Sequence, residues 1–298
     1  QQFGLDDAPF GPLRLLGEAA AQHPGDAHWL CADPVHLRFH HERIVLADAG
    51  AFDLEIDEAH AITAALNSEF ADIGRFHVAT ARRWYLQLNA AVNEKFAPIS
   101  TIAGRRLDSE LTDKNGPLNR WLNEVQMFLH GHPVNERRQA EGKPAVNSLW
   151  LWGGGPLPDV PAPHFSAVCS DNPLATGLAL AAGIEALPCP DSLGALLADS
   201  APNDTPLVVL DSLLPPVLTE NSEDWRNAFA ALERDWFVPL RAALGSKIET
   251  LTIVAPSIYG QLGWTLHGKD RWKFWRKSRP MQAMAKELAD NPAEGTTP

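Results

Sequence analysis

After residue 145 the sequence alternates between short apolar strands and helices, and this rhythm constrains the fold more than any other feature. Alternation of this kind is typical of a mostly parallel sheet flanked by helices. We therefore predict an α/β fold. The segments that carry the pattern are a strand over Val146–Trp152, a helix over Leu174–Ile184, a buried strand over Leu207–Leu210, a long helix over Asp224–Leu244 and a strand over Leu251–Val254.

The first third of the chain predicts a smaller α+β unit. Apolar and polar residues alternate over Val35–Phe39, which indicates a half-buried strand, and Arg43–Leu46 is its predicted hairpin partner. A helix is predicted to follow with Asp57 as its N-cap. Phe76–Val78 and Trp84–Leu88 are predicted as two further strands. Beyond this unit, an apolar stripe after Pro117 predicts a helix that ends before Gly131.

Composition limits the classes of protein that the chain can belong to. The 298 residues include 25 basic and 37 acidic side chains, and a net charge of −12 argues against nonspecific nucleic-acid binding. No apolar run approaches the roughly 20 residues needed to span a bilayer, so we expect no membrane segment. Gln1–Asp7 has no signal-peptide pattern, and without an initiator Met we expect the chain to begin inside a longer protein. Cys31, Cys169 and Cys189 are widely spaced, which favours reduced thiols in the cytoplasm.

The junction between the Val146–Trp152 strand and Gly153-Gly154-Gly155 is a candidate ligand site, because glycine lets a ligand approach the backbone closely. It is no P-loop, since no Lys-Ser/Thr follows and Pro156 and Pro158 prevent an immediate helix start. A tight turn without a ligand is the alternative interpretation.

Two further segments carry candidate binding residues. His130 and His132 could bind a metal, although they could equally end a helix beside solvated arginines. In Lys269–Arg279, Lys273 and Arg276 are candidates for an anion patch, with packing of basic stems on aromatic rings as the alternative. The tryptophans of this region could also form a protein-interaction surface; they are Trp264, Trp272 and Trp275.

The centre of the chain resembles a known family. The similar residues are Leu122-Asn123-Glu124, His132-Pro133-Val134-Asn135, Arg137-Arg138, Gly142, Asn147 and Leu149–Gly155. They resemble the central signature of the archaeal-type cofactor-independent phosphoglycerate mutases, in the alkaline phosphatase superfamily. Over nearly the whole chain there is also a resemblance to proteobacterial RpfE-like regulatory proteins, described too as phosphoglycerate mutase homologues. The segments that carry it are Asp33–Arg38, Arg83–Leu86, Asn147–Gly155 and Trp272–Arg276.

This resemblance implies an alkaline-phosphatase-like core with an inserted α+β subdomain. Residues 1–20 would begin the core, 21–115 would form the subdomain, 116–280 would form the rest of the core, and 281–298 would be a flexible tail. The implied chemistry moves a phosphoryl group between the 2- and 3-positions of glycerate through a phosphoserine, with two divalent metals held by Asp and His.

Several departures from the family pattern bear on that chemistry. The family's nucleophilic Ser and its Asp partner would lie before Gln1, and Trp152 stands where the glycine-rich run has an Arg. The segments Val208–Pro216 and Ile253–Tyr259 lack the expected ligand motifs, which leaves Asp211 as a candidate. One Asp cannot hold Mn²⁺ or Zn²⁺ usefully.

We therefore expect a degenerate, metal-free homologue with a binding or regulatory role in the bacterial cytoplasm. Its ligand would be an anionic metabolite or a protein, with no cofactor and no membrane or nucleic acid. The candidate ligand-binding residues are His132, Asn135, Arg138, Gly153, Gly154 and Gly155. Two alternatives stay open: a protein-interaction module, and an active mutase or phosphatase with Mn or Zn on rearranged ligands. Those ligands would be His130, His132, His164 and Asp211.

Overall fold

The computed structural model describes residues 8–18, 23–40, 43–48, 52–92, 96–99, 117–201, 203–257, 260–272, 280, 282–284 and 286. The contacts between Cα atoms divide the chain into two compact units. The first unit comprises residues 1–190 and 201–226, and the second comprises 191–200 and 227–298. The predicted mixture of helices and strands is confirmed.

A five-stranded antiparallel sheet dominates the first unit. Its strands are β1 (Trp29–His40), β2 (Arg43–Asp48), β3 (Gly74–Thr80), β4 (Arg83–Leu88) and β5 (Ser148–Gly155). The long strand β1 pairs with β2, β4 and β5, and β3 pairs with β4. The predicted hairpin is confirmed, with Leu37 opposite Leu46. Since β5 pairs with β1, one sheet contains strands from both sides of the domain boundary predicted at residue 115.

Three helices pack against this sheet: α2 (Ile56–Glu69), α3 (Pro117–His130) and α4 (Pro133–Ala140). Their apolar stripes share one buried cluster with the sheet, which includes Leu30, Ile62, Leu66, Trp84, Val125, Leu129 and Leu151. Helix α2 begins earlier than predicted. Its N-cap is Glu55, which forms a capping box with Glu58, so the prediction of Asp57 as N-cap is wrong.

Helix α1 (Phe10–Leu16) packs closely against helix α5 (Pro173–Ala181). A Cβ built on Gly17 would overlap the carbonyl oxygen of Pro173, and one built on Gly177 would overlap that of Leu13. Glycine at these two positions therefore allows the two helix backbones to touch.

The parallel strands of the described residues form a small sheet in the first unit. They are β6 (Ala167–Cys169), β7 (Glu185–Leu187) and β8 (Leu207–Val208), in the order β7-β6-β8 with α5 as a crossover helix. The expectation of a mostly parallel sheet is therefore wrong for the part of the chain that is described. The reason is that β5, predicted to belong to a parallel core, pairs antiparallel with β1. Helix α7 (Leu214–Leu218) follows, and α8 (Ser222–Leu232) begins in this unit.

The second unit contains helix α6 (Leu193–Asp199), a π-helical turn (Glu233–Phe237), α9 (Val238–Ala243) and a hairpin of β9 (Thr250–Ser257) and β10 (Gly260–His267). A 3₁₀ turn over Gly268–Trp272 comes last. The long helix predicted over 224–244 is thus divided by the π-helical turn. The predicted strand over 251–254 exists, but it pairs antiparallel with β10.

No helix among the described residues is both long and apolar enough to cross a membrane. The predicted anion-patch residues Lys273 and Arg276, together with Trp275, lie outside the described residues. Most of the predicted tail, 281–298, does so too.

Candidate functional site

His132 and Asn135 hold helix α4 against its neighbours. His132 is the N-cap of α4, and its Nδ1 accepts a hydrogen bond from the backbone N–H of Val134 at 3.2 Å. Burial lowers the pKa of His132 below its ordinary value of 6.5. The buried Asn135 amide donates to the carbonyl oxygens of Leu129 and Val146 and accepts from the N–H of Val146. Both side chains therefore have a structural role, because they form hydrogen bonds with backbone groups in and beside helix α4.

Arg138 is buried and paired. Its Nη1 donates to a carboxylate oxygen of Glu58 on helix α2, and its Nε donates to the carbonyl oxygen of Pro144 at 2.7 Å. The guanidinium also lies over the ring of Phe52, 5.7 Å from the ring centre. Among the described residues, its Nη2 has no hydrogen-bond partner. Arg138 thus joins α4 to α2.

The glycine run lies where helix α1 meets strand β5. Gly153 has φ +65°, and a Cβ there would come within 2.9 Å of the backbone nitrogen of Gly11. A Cβ on Gly154 would lie 2.8 Å from a methyl carbon of Leu30, and one on Gly155 would lie 2.8 Å from Pro9. The glycines therefore let the chain before β1 pack directly on the end of β5. All three glycines lie within strand β5, which pairs with β1 up to Gly155, so they do not form the tight turn of the alternative interpretation.

The two halves of the predicted ligand site lie at opposite ends of strand β5. Asn135 bonds to Val146, just before the strand begins, whereas Gly153 lies near the strand's other end. At about 3.3 Å per residue, seven residues of extended chain span roughly 20 Å. The structure therefore does not bring His132, Asn135 and Arg138 together with the glycine run. Ligand binding at either end stays a prediction.

The four candidate metal ligands are not gathered around one point. His130 is exposed at the last residue of α3, and His132 caps α4. His164 is exposed in a loop, where its carbonyl oxygen accepts from Thr205 Oγ1. Asp211 accepts a hydrogen bond from Asn172 Nδ2 at 2.9 Å. Within the described ranges, no group of three or more His, Cys, Asp or Glu side chains could hold a metal ion.

The carboxyl edge of the small parallel sheet gathers polar groups in the place where α/β sheets usually bind ligands. Asp171 and Asn172 follow β6, Cys189 follows β7 and Asp211 follows β8. Asp171 accepts a hydrogen bond from the backbone N–H of Cys189, which links the ends of β6 and β7. Asn172 donates a hydrogen bond to Asp211, which links the ends of β6 and β8. These contacts bring Asp211, predicted as a ligand, beside residues that sequence reasoning did not select. Asp171 and Asp211 are exposed, so polar groups at this edge of the parallel sheet are accessible to solvent.

A buried ion pair between Arg14 and Asp33 joins helix α1 to strand β1. The guanidinium donates to both carboxylate oxygens at 2.9 and 2.6 Å, and both side chains are less than a tenth exposed. Burial alone would lower the pKa of Arg14, but the charge of Asp33 raises it well above the ordinary value. The indole of Trp152 donates to the same carboxylate at 2.8 Å and lies under the guanidinium.

Tyr85 extends this network towards the surface. Arg14 Nε donates to the Tyr85 hydroxyl at 2.9 Å, and that hydroxyl donates to Glu18 at 2.7 Å. Arg83 in turn donates to both oxygens of Glu18, at 2.6 and 2.9 Å. Burial raises the pKa of Tyr85 far above its ordinary range, so the phenol remains a hydrogen-bond donor. The same cause raises the pKa of the Cys31 thiol, which keeps it neutral.

Sequence reasoning missed this network, although four of its members lie in three of the segments that carry the resemblance. Asp33 lies in Asp33–Arg38, Arg83 and Tyr85 lie in Arg83–Leu86, and Trp152 lies in Asn147–Gly155. The available signal was Asp33 directly after the apolar run Trp29–Ala32, because a buried carboxylate needs a cation. What could not be read from the sequence is that Arg14 supplies that cation.

Comparison with known proteins finds phosphoglycerate mutases among the relatives of this chain. The chain is 31% identical over 210 residues to the 2,3-bisphosphoglycerate-independent phosphoglycerate mutase of Methanosarcina acetivorans, a match that covers 65% of this chain and 51% of that protein. It is 30% identical over 197 residues to the mutase of the same name from Methanosarcina mazei, covering 62% and 49%. The chain thus spans about half the length of the curated relatives it matches.

Among solved structures, the cofactor-independent phosphoglycerate mutase of Thermoplasma acidophilum matches with 18% identity and a TM-score of 0.37, over 85% of this chain and 72% of that one. No family model matches the chain. The comparisons therefore define a distant similarity to cofactor-independent phosphoglycerate mutases.

Proposed function

We propose that this chain is a degenerate homologue of cofactor-independent phosphoglycerate mutase that holds no two-metal centre and has a binding or regulatory role. The similarity to the Methanosarcina mutases supports the ancestry, at about 30% identity. The RpfE-like relationship and the alkaline-phosphatase-like core belong to the same proposal.

The observation that carries the proposal is the dispersal of the candidate metal ligands. A two-metal centre needs several carboxylate and imidazole groups converging within a few ångströms. In the described residues such a group is missing, and the candidates have other partners: His132 caps a helix and Asp211 accepts from Asn172. Trp152, which takes the place of an expected Arg, is bonded to Asp33 and supports the same conclusion.

The cellular setting of this proposal is the bacterial cytoplasm. Its support is the number and spacing of the cysteines, since Cys31, Cys169 and Cys189 are odd in number and lie far apart, unlike the cysteines of a disulfide framework. The proposed ligand is an anionic small metabolite or a protein partner, without a cofactor. The net charge of −12 disfavours nucleic acid as that partner.

The proposal is tested by assaying conversion of 3-phosphoglycerate to 2-phosphoglycerate in the presence of Mn²⁺. The full-length protein is compared with the Methanosarcina acetivorans mutase as a positive control under the same conditions. We expect turnover by the control and none by this protein. Turnover by this protein would establish the alternative, an active enzyme with rearranged ligands. Calorimetric titration with 3-phosphoglycerate then separates binding without turnover from no binding.

A further inference from the structure

One face of the β9–β10 hairpin is apolar over the residues whose burial is described. Its two strands pair in an unbroken antiparallel register, so residues directly opposite each other lie on the same face. Alternate positions therefore separate the side chains into two sets. The apolar face consists of the opposed pairs Leu251–Leu266, Ile253–Trp264 and Ala255–Leu262.

The other face of the hairpin is mainly polar. Thr250 Oγ1 lies 3.1 Å from His267 Nδ1, and the hydroxyl oxygens of Thr252 and Thr265 are 3.4 Å apart. Val254 is the large apolar residue on this side. The hairpin is thus amphipathic. This is the pattern of an antiparallel strand pair that has one face in water and the other packed against another part of a protein.

The apolar face is only partly covered. No residue of the hairpin whose burial is described is buried, Trp264 is 37% exposed and Ala255 is exposed. Within the described part of the chain, β9 and β10 pair only with each other, so each keeps a free edge. A two-stranded hairpin is marginally stable by itself, and an exposed apolar face with free strand edges favours association.

Charge distinguishes this hairpin from the rest of the chain. From Thr250 to His267 the sequence contains no Asp, Glu, Lys or Arg, whereas 21% of all residues are charged and the net charge is −12. Two copies of so acidic a chain repel each other over most of their surfaces. A twofold contact places the same patch against itself, and an uncharged apolar patch is compatible with its own copy.

We propose that the apolar face of the β9–β10 hairpin is a contact surface between two copies of this chain. Eight residues of antiparallel strand are about 27 Å long, so the face is small compared with the roughly 1,600 Å² of a standard interface. The dimer is accordingly weak and concentration-dependent. This inference does not depend on the proposed function.

Sedimentation velocity over a wide range of protein concentration tests the proposal, with the full-length protein and three variants. Trp264→Lys and Ala255→Lys place a charge on the apolar face, and Thr252→Lys places the same charge on the polar face as a matched control. We expect the wild type and Thr252→Lys to shift from monomer to dimer with concentration. The two variants of the apolar face should raise the dimer dissociation constant about tenfold or more.

Thermal unfolding followed by circular dichroism identifies any variant that fails to fold. Because Ala255 is already exposed, Ala255→Lys keeps the test valid if Trp264→Lys unfolds. A wild type that remains monomeric at every concentration would overturn the proposal and show that a different partner or another segment of the chain covers the face. Dimerisation unaffected by Ala255→Lys would overturn it as well.

Discussion

The Arg14 guanidinium and the Asp33 carboxylate form two parallel hydrogen bonds inside the first unit, and Trp152 and Tyr85 complete the shell around them. Planar, two-point pairing of this kind fixes the relative orientation of the elements that it joins. Helix α1 and strand β1 are therefore held together by a polar contact inside an otherwise apolar layer that includes Trp29, Leu46 and Trp150.

Removing the cation from this pair should be costly. Arg14→Met leaves the Asp33 carboxylate buried without a counter-charge, and we expect a loss of about 3–5 kcal/mol in the free energy of unfolding. Arg75→Met, on an exposed position of β3, is the control and should change stability by less than about 0.5 kcal/mol. Urea denaturation measures both. Equal stability of the two variants would contradict the account of this ion pair.

Two neighbouring arginines on α4 provide a matched comparison. The Arg138 side chain is 1% exposed and donates to Glu58, while that of Arg137 is 57% exposed and lies 3.7 Å from the same residue. We expect Arg138→Met to cost about 3–5 kcal/mol because it removes the buried partner of Glu58 and leaves this largely buried carboxylate with the more distant, exposed Arg137. Arg137→Met should cost less than about 1 kcal/mol. Denaturant unfolding measures the stability of both variants. A larger loss for Arg137→Met than for Arg138→Met would contradict the account in which Arg138 is the main partner of Glu58.

The contact between helices α1 and α5 can be tested with one methyl group. In Gly177→Ala the added Cβ would overlap the Leu13 carbonyl oxygen, so the helices must separate, at a cost of about 1–3 kcal/mol or more. A Cβ on Gly131 would meet nothing within 4 Å, so Gly131→Ala serves as the control. Thermal unfolding should show a lower midpoint for Gly177→Ala alone. An unchanged midpoint would mean that the two backbones do not touch.

The N-cap of α4 predicts a pH dependence. Because burial lowers the pKa of His132 below 6.5, the unfolded chain binds a proton at a higher pH than the folded protein does. The stability linked to this residue is therefore complete above pH 6.5 and is lost as the pH falls through the lowered pKa.

His132→Asn keeps a good N-cap residue and removes the titrating group. Between about pH 7 and pH 5 the variant should lose less stability than the wild type. His77, whose pKa burial also lowers, is present in both proteins and cancels in the comparison. Parallel pH profiles of the two proteins would show that His132 is not the source of the effect.

Local pattern was enough to locate most of the helices and strands. The alternation in Val35–Phe39 and the apolar stripe after Pro117 each predicted an element that the structure contains. Pattern was not enough to assign strand partners. The strand Val146–Trp152 is apolar enough to lie in a parallel core, yet it pairs antiparallel with β1. Partner choice depends on contacts distant in sequence, which periodicity does not record.

At the candidate site, too, the sequence indicated residue types but not how those residues are arranged in space. Sequence reasoning selected His132, Asn135 and Arg138 because they lie in the segment that resembles the mutase signature, with an anionic metabolite as the expected ligand. Side chains of these types also satisfy buried backbone and carboxylate partners, and the structure uses them in that way. Asp211 was selected singly, but its neighbours Asn172 and Cys189 were not, because they come together only when three separate strands align.

Metal content of the full-length protein tests the central claim most directly. The protein is incubated with Mn²⁺, freed of excess ion by gel filtration and analysed by mass spectrometry for bound metal per chain. The dispersal of His130, His132, His164 and Asp211 predicts that no stoichiometric metal is retained. Retention of about two ions per chain would contradict the proposal of a degenerate homologue, because that is the complement of an active two-metal centre.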